Sequence, residues 1–271
     1  MEFIHLCRLT NHSMYFCRIN EKKMNSSIKD RFTELWVKYF GNGELPITFY
    51  YSAKIGDTEE VKVAEKWSCL IGQLAKVRKG TSLAFTVDST GCIGGKKFSG
   101  FTEQLRPGFE FFLSCGNEHM KGEKYIKSPE LVRSFLSAAP WVTAKAKYLV
   151  FKRWDMLLEE DLPEVVIFFA KPDVLSGIFT LSSFDRDYND AVISPFGSGC
   201  ASIIQYPLAE AKLAKPKTVL GMFDISARPF VPENTLTAAI PYQRFVEMIE
   251  NMEESFLTTN TWNVVKNRIN K

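Results

Sequence analysis

The feature that most constrains this chain is a repeated order of short apolar segments. Leu45-Pro46 followed by ITFYYSA matches Leu162-Pro163 followed by EVVIFFA. Farther on in each half, SLAFTVD from Ser82 to Asp88 is mirrored by TVLGMFD from Thr218 to Asp224. Runs of this length, apolar, β-branched and closed by turn residues, read as buried strands. Two strands recurring in one order predict two related halves, residues 24–155 and 156–271, each with a βαβ-type unit. Packed about a pseudo-twofold axis, they make one compact α+β domain whose two strand-end turns face one another.

The first of those turns concentrates chemistry. Ser82 to Phe101 reads SLAFTVDSTGCIGGKKFSGF, where Gly91, Gly94, Gly95 and Gly100 allow close backbone approach and N–H groups that converge on a ligand edge. Cys92 sits inside it, and Lys96 and Lys97 add positive charge. It is not a P-loop: only three residues separate Gly91 from Gly95, and Lys97 stands where a Ser or Thr would meet Mg²⁺. Two readings stay open, an anion or cofactor loop and a tight turn with solvated lysines. In the second half Ile225 to Phe230 takes this place, with Ala227 against Cys92 and Arg228 offering a planar fork to a carboxylate or phosphate.

Composition narrows the function classes. With 45% hydrophobic and 24% charged residues the chain is globular rather than disordered. A net charge of +3 without a basic stripe argues against nucleic acid as a partner. No apolar run reaches the roughly 18 residues of a membrane span, and no signal peptide is recognisable, so a cytoplasmic protein without a membrane partner is expected. Six cysteines without a CxxC pair read as reduced thiols.

Several elements follow from periodicity. Phe32, Leu35, Trp36, Tyr39 and Phe40 predict a helix stopped by Gly41, and Met24 before it is a plausible start. Residues 1–23 then form an arm, poorly ordered or a gene-model extension; its His5, Cys7, His12 and Cys17 lack zinc spacing. A helix is expected over 59–78, with Trp67, Leu70, Ile71 and Leu74 as its apolar stripe and Cys69 on the opposite, lysine-bearing face. Phe109 to Cys115 reads as a strand that buries Cys115 more deeply than Cys92, His119 as a surface residue, and Glu159 to Asp161 as a solvated acidic loop. Asp88 and Asp224 read as turn residues bonding their own backbone. Phe196-Gly197-Ser198-Gly199 leads into Cys200, so a cysteine again fronts a helical segment.

Five segments together resemble the family known as domain of unknown function 169, Uncharacterised ArCR. They are Cys69 with its helix, GCIGGKKFSGF, PEVVIFFAKPDVL, SPFGSGCASII and AIPYQRFVEMIENM, over roughly residues 40–255. The resemblance implies no activity.

Three functions are compatible with these residues. The first is binding of an anionic small molecule or cofactor between the halves, by Cys69, Cys92, Gly94, Gly95, Lys96, Lys97, Cys200 and Arg228. The cofactor is not specified; a metal or redox group would use Cys69, Cys92 and Cys200, although their spacing is not that of a compact cluster motif. The second is an enzyme with a cysteine nucleophile acting on a small anionic substrate, with a lysine, Asp88 or Asp224 as base. The third is a self-associating structural module, a homodimer, because 22 phenylalanines exceed what one small core obviously needs.

Overall fold

A computed structural model describes residues 28–63 and 65–271. The expectations for residues 1–23 lie outside the described residues. The apolar stripe from Phe32 to Phe40 forms α1, residues 28–40, and Gly41 ends it at φ +59°. Next come β1 (Ile47–Ser52), β2 (Glu59–Glu60), α2 (Leu70–Arg78), β3 (Leu83–Phe85), α3 (Ile93–Phe98) and α4 (Phe109–Leu113). The hairpin β4 (Gly116–Asn117) and β5 (Met120–Lys121), then α5 (Pro129–Ala138) and β6 (Tyr148–Arg153), complete the first half. The second half holds β7 (Val165–Ala170), α6 (Pro172–Ser183), β8 (Val192–Ile193), a π-helical turn (Ala201–Gln205), α7 (Tyr206–Glu210) and β9 (Thr218–Gly221). It ends with β10 (Leu236–Pro241), α8 (Tyr242–Asn251) and α9 (Asn260–Ile269).

Eight strands form one mixed sheet in the order β2-β3-β6-β1-β7-β10-β9-β8. Read outward from the β1–β7 seam, the two sides are the same. Each runs antiparallel, antiparallel and then parallel, and the parallel pair is bridged by a helical segment. This is the expected pair of βαβ-containing halves about a pseudo-twofold. The ladders set Phe151 against Leu83 in one half and Ala239 against Val219 in the other, so Leu83 corresponds to Val219, as the sequence repeat predicts. Carried to the central strands, the same ladders align Ile47 with Val165 rather than with Glu164. The one-residue correction has a physical cause. Side chains alternate faces, and only this register keeps Ile47, Phe49, Val165 and Ile167 in one core.

The two faces of the sheet are covered differently. On one, Leu70, Ile71, Leu74 and Val77 of α2 and Ile203, Ile204 and Leu208 of the second half pack against Phe49, Phe85, Phe151 and Ile167. On the other, α1, α6, α8 and α9 bury Phe32, Trp36, Phe40, Ile178, Phe245 and Trp262 against Val166, Phe168 and Ile240.

Four local expectations change. Residues 59–78 are not one helix, because Glu59 N–H bonds Ser82 O at 2.9 Å and Val61 N–H bonds Ala84 O at 2.9 Å, making an edge strand of a segment that carries exposed charge. Helix α2 therefore starts at Leu70, and Trp67 lies outside its buried stripe, 66% exposed. Phe109–Leu113 is a helix, not a strand: Gly108 at φ +80° turns the chain into it, and helical spacing puts Phe109, Phe112 and Leu113 on one side. Cys115, beyond that helix, is exposed, while Cys92 is half-buried, the reverse of the expected order. Glu159 and Glu160 are exposed, but Asp161 is buried and pairs with Lys152 Nζ at 2.7 Å, because a lysine on β6 with no exposure needs a buried counter-charge.

Candidate functional site

The site begins with backbone geometry at two helix starts. Cys69 and Cys92 occupy the N-cap positions of α2 and α3, both with extended φ/ψ. Cys69 is therefore at the front of its helix rather than on its polar face. Cys92 Sγ accepts the Gly95 N–H at 3.1 Å, and a Cβ at Gly95 would fall 2.8 Å from that sulfur, so only glycine lets the helix turn so close. Cys200 is the residue immediately before the π-helical turn, in the β8–β9 crossover that corresponds to the one Cys69 fronts. Ala227 caps the short 3₁₀ turn Arg228–Phe230, as Cys92 caps α3. The two turn positions thus correspond as the repeat predicts, with a thiol retained in one.

Strands β3 and β9 run antiparallel, so their C-terminal ends leave opposite ends of the sheet and do not face one another as expected, yet Cys92 and Ala227 from the two turns reach common ground over one sheet face. There they border a cavity of about 670 Å³. Cys69, Cys92 and Cys200 all line it, with Gly94, Gly95 and Ala227 beside them. Its walls are aromatic: Phe98 from α3, Phe109 and Phe112 from α4, Phe135 from α5, and Tyr125 and Phe196 from loops. Arg106, Lys124, Glu123 and Asp224 supply the charged groups. Two non-glycine residues here have positive φ: Lys124 of the lining at +58°, and Met222, buried at +69°, which turns the chain after β9 so that Phe223 and Asp224 face the cavity. Asp224 holds this corner together. It accepts the Gly199 N–H at 3.0 Å and the Ser226 N–H at 2.9 Å, the latter being the expected turn bond to its own backbone. Asp88, its counterpart, is exposed and does not line the cavity.

The thiols are electrostatically unequal. The Cys200 side chain hydrogen-bonds to Cys92 and, with the N–H groups of Gly95 and Leu70 and the charge of Lys96, outweighs burial to bring the Cys92 thiol down to about 6. Its partnership with Cys92, added to burial, holds Cys200 well above the ordinary thiol range. Burial pushes Cys69 up as well. The N–H groups of Gly72 and Ile71 oppose that shift without closing a cap hydrogen bond. Of the three thiols, Cys92 is the one whose thiolate is favoured and Cys200 the one most strongly held protonated.

Three expected ligand residues do not line the cavity. The Arg228 guanidinium donates to the carbonyls of Pro232, Glu233 and Thr235, so its fork is occupied in bracing the following loop. Lys97 Nζ donates to Glu103 O and lies 3.8 Å above the Trp141 ring. Lys96 is half-buried and acts on Cys92 only through charge. The aromatic wall and the pair Arg106 and Lys124 were not found by motif. Their one signal was the density of phenylalanine between Phe98 and Phe112. Among the described residues, no group of three or more His, Cys, Asp or Glu side chains is placed to hold a metal ion, and no helix is long and apolar enough to cross a membrane. His119 lies in the loop between β4 and β5, exposed and beside Glu118.

Fold and site together define an α+β protein of two topologically repeated halves, with a thiol-floored, aromatic-walled cavity over one sheet face. The chain belongs to the family described as Uncharacterised ArCR, domain of unknown function 169, whose model matches residues 37–251 and so takes in every residue of the cavity. No curated protein and no solved structure matches it.

The inequality of the thiols has a measurable consequence. Alkylation of Cys92 by iodoacetamide in the native protein will rise through an inflection near pH 6, because its thiolate is present above that value. Cys200, 5% exposed, will stay unlabelled until the protein unfolds. Site-resolved mass spectrometry across pH reads both. An inflection for Cys92 in the ordinary thiol range near 8.5 would contradict the assignment.

Proposed function

We propose that this protein binds a small ring-bearing molecule, largely apolar and carrying an anionic group, in the cavity between its two halves. One observation carries the reading: three thiols from three separate segments meet at a cavity of about 670 Å³ whose walls are aromatic. That volume is within the range of about 300–1,000 Å³ usual for small-molecule sites. The anionic group is assigned to Arg106 and Lys124 at the lining, in place of Lys96, Lys97 and Arg228. The phenylalanine count carries no argument for self-association, since Phe32, Phe40, Phe168 and Phe245 fill one core and others line the cavity.

Anilinonaphthalene sulfonate has the required shape and charge. Its fluorescence will rise and saturate at one molecule per chain, and Phe112→Ala, which removes a half-buried wall ring, will weaken binding about tenfold. Fluorescence that does not saturate, or that Phe112→Ala leaves unchanged, would reject the site.

A second reading is favoured by one feature. A cysteine nucleophile ordinarily needs a base, yet Cys92 has its thiolate stabilised by the Gly95 N–H and the Cys200 thiol, so neither a histidine nor Asp88 is required. On this reading the bound molecule is an electrophile and Cys92 attacks it.

A further inference from the structure

The cavity floor contains more thiol chemistry than binding requires. Cys92 lines the cavity and is half-buried, whereas Cys200 lines it from a buried position. Helix α3, which Cys92 caps, lies against the π-helical turn that Cys200 precedes, so the two backbones are neighbours. Of the other two thiols, Cys200 is the one that favours the Cys92 thiolate, whereas Cys69 is itself pushed up, by burial and by Cys92. Neither Cys92 nor Cys200 is in a disulfide. One accessible thiolate backed by one buried thiol is the arrangement of an attacking and a resolving cysteine.

We propose that Cys92 and Cys200 form a dithiol–disulfide couple that reduces a small-molecule disulfide with an aromatic or apolar body, bound in this cavity. The proposal rests on the cavity admitting such a body. In the first step the Cys92 thiolate attacks one sulfur of R–S–S–R, a bond forms between Cys92 Sγ and that sulfur, and RS⁻ leaves. Cys92 then no longer accepts the hydrogen bond from Cys200. Cys200 loses its proton to the departing thiolate, attacks Cys92 Sγ and expels the second RS⁻. The two cysteines give up two electrons as their disulfide forms, and the substrate leaves as one thiol and one thiolate. The π-helical turn beside Cys200 supplies the local give, since such turns interrupt the regular helical ladder.

The probe is dithiobis-nitrobenzoate, an aromatic anionic disulfide. The full chain is used with Cys7→Ser, Cys17→Ser, Cys69→Ser and Cys115→Ser, so that only the pair reports. It should release two thionitrobenzoate anions per chain and end with no adduct, as an intact mass shows. Adding Cys200→Ser should give one anion and a retained adduct on Cys92, and adding Cys92→Ser instead should slow release at least a hundredfold. Should the multiple variant not fold, the unaltered chain treated with one equivalent of reagent is digested, and the peptides of Cys92 and Cys200 must be found linked. Separate adducts on Cys92 and Cys200, or linkage of Cys92 to Cys69, overturns the couple. Saturable anilinonaphthalene sulfonate binding without that linkage rejects the couple and leaves the cavity reading intact; linkage without dye binding rejects the cavity reading instead.

Discussion

Asp161→Ala will destabilise the protein by about 3 kcal/mol, a core-sized effect from a residue whose sequence context is an acidic surface loop. The cause is Lys152. Its side chain has no solvent exposure, and its ammonium bonds Asp57 at 2.5 Å and Asp161 at 2.7 Å. The two carboxylates are not equivalent. That of Asp57 is 45% exposed and that of Asp161 only 6%, and Asp161 also accepts the Leu158 N–H at 2.9 Å and the Tyr50 hydroxyl. Alanine at 161 removes the buried counter-charge and leaves an ammonium that water reaches only past Asp57. Losing one partner of a buried pair costs roughly 3–5 kcal/mol, and the surviving Asp57 contact places this case at the lower end. The double variant Lys152→Met with Asp161→Leu should come back to within about 1 kcal/mol of the parent, because the desolvation of both charges disappears with them. Urea unfolding of the three proteins measures this. A single variant within about 1 kcal/mol of the parent would show that the pair is not buried as described.

That contrast also marks what the sequence can carry. The recurrence of strands along the chain, the correspondence of Leu83 with Val219 and the helix from Phe32 to Phe40 stopped by Gly41 are local patterns, and each was legible. The register of β1 against β7 was off by one, because the matching Leu-Pro pairs precede the strands and do not specify which face the next residue takes. Glu59 and Glu60 suit a helix by propensity and become a strand only because Ser82 and Ala84 offer backbone partners at the sheet edge. That a cysteine fronts a helical segment in each half was legible, but β2–β3 and β8–β9 lie at opposite edges of the sheet, and the meeting of Cys69, Cys92 and Cys200 depends on how α2, α3 and the π-helical turn pack inward over its face. The position of Arg228 did not follow. Its neighbours in sequence offer carbonyls that compete with any ligand, and only the fold of the 232–235 loop decides in their favour. Phe109, Phe112 and Phe135 of the aromatic wall come from α4 and α5, which lie outside the repeated framework.

Trp36→Ala will lower stability by about 4 kcal/mol and leave the thiolate of Cys92 as reactive as before. Trp36 is 2% exposed, stacks on Phe40 with ring centres 4.1 Å apart, touches Phe32 and Phe168, and donates its Nε1–H to Gly43 O at 2.9 Å. Truncation opens a void the size of an indole and strips a partly buried carbonyl of its donor. All of this happens on the face carrying α1, α6, α8 and α9, whereas Cys69 and Cys200 belong to the opposite layer and Cys92 lines the cavity with them. The sheet between them is a wall of ladder hydrogen bonds, so the loss should not reach the helix starts that shape the site. Thiol labelling distinguishes the two layers in one experiment. Labelling of Cys200 requires unfolding, so a loss of about 4 kcal/mol accelerates it roughly a thousandfold, since each 1.4 kcal/mol is a factor of ten. Labelling of Cys92 proceeds from the native state and should be unchanged. If the Cys92 rate moves together with that of Cys200, the thiol site depends on the aromatic core, and the separation of a stabilising face from a functional one is wrong.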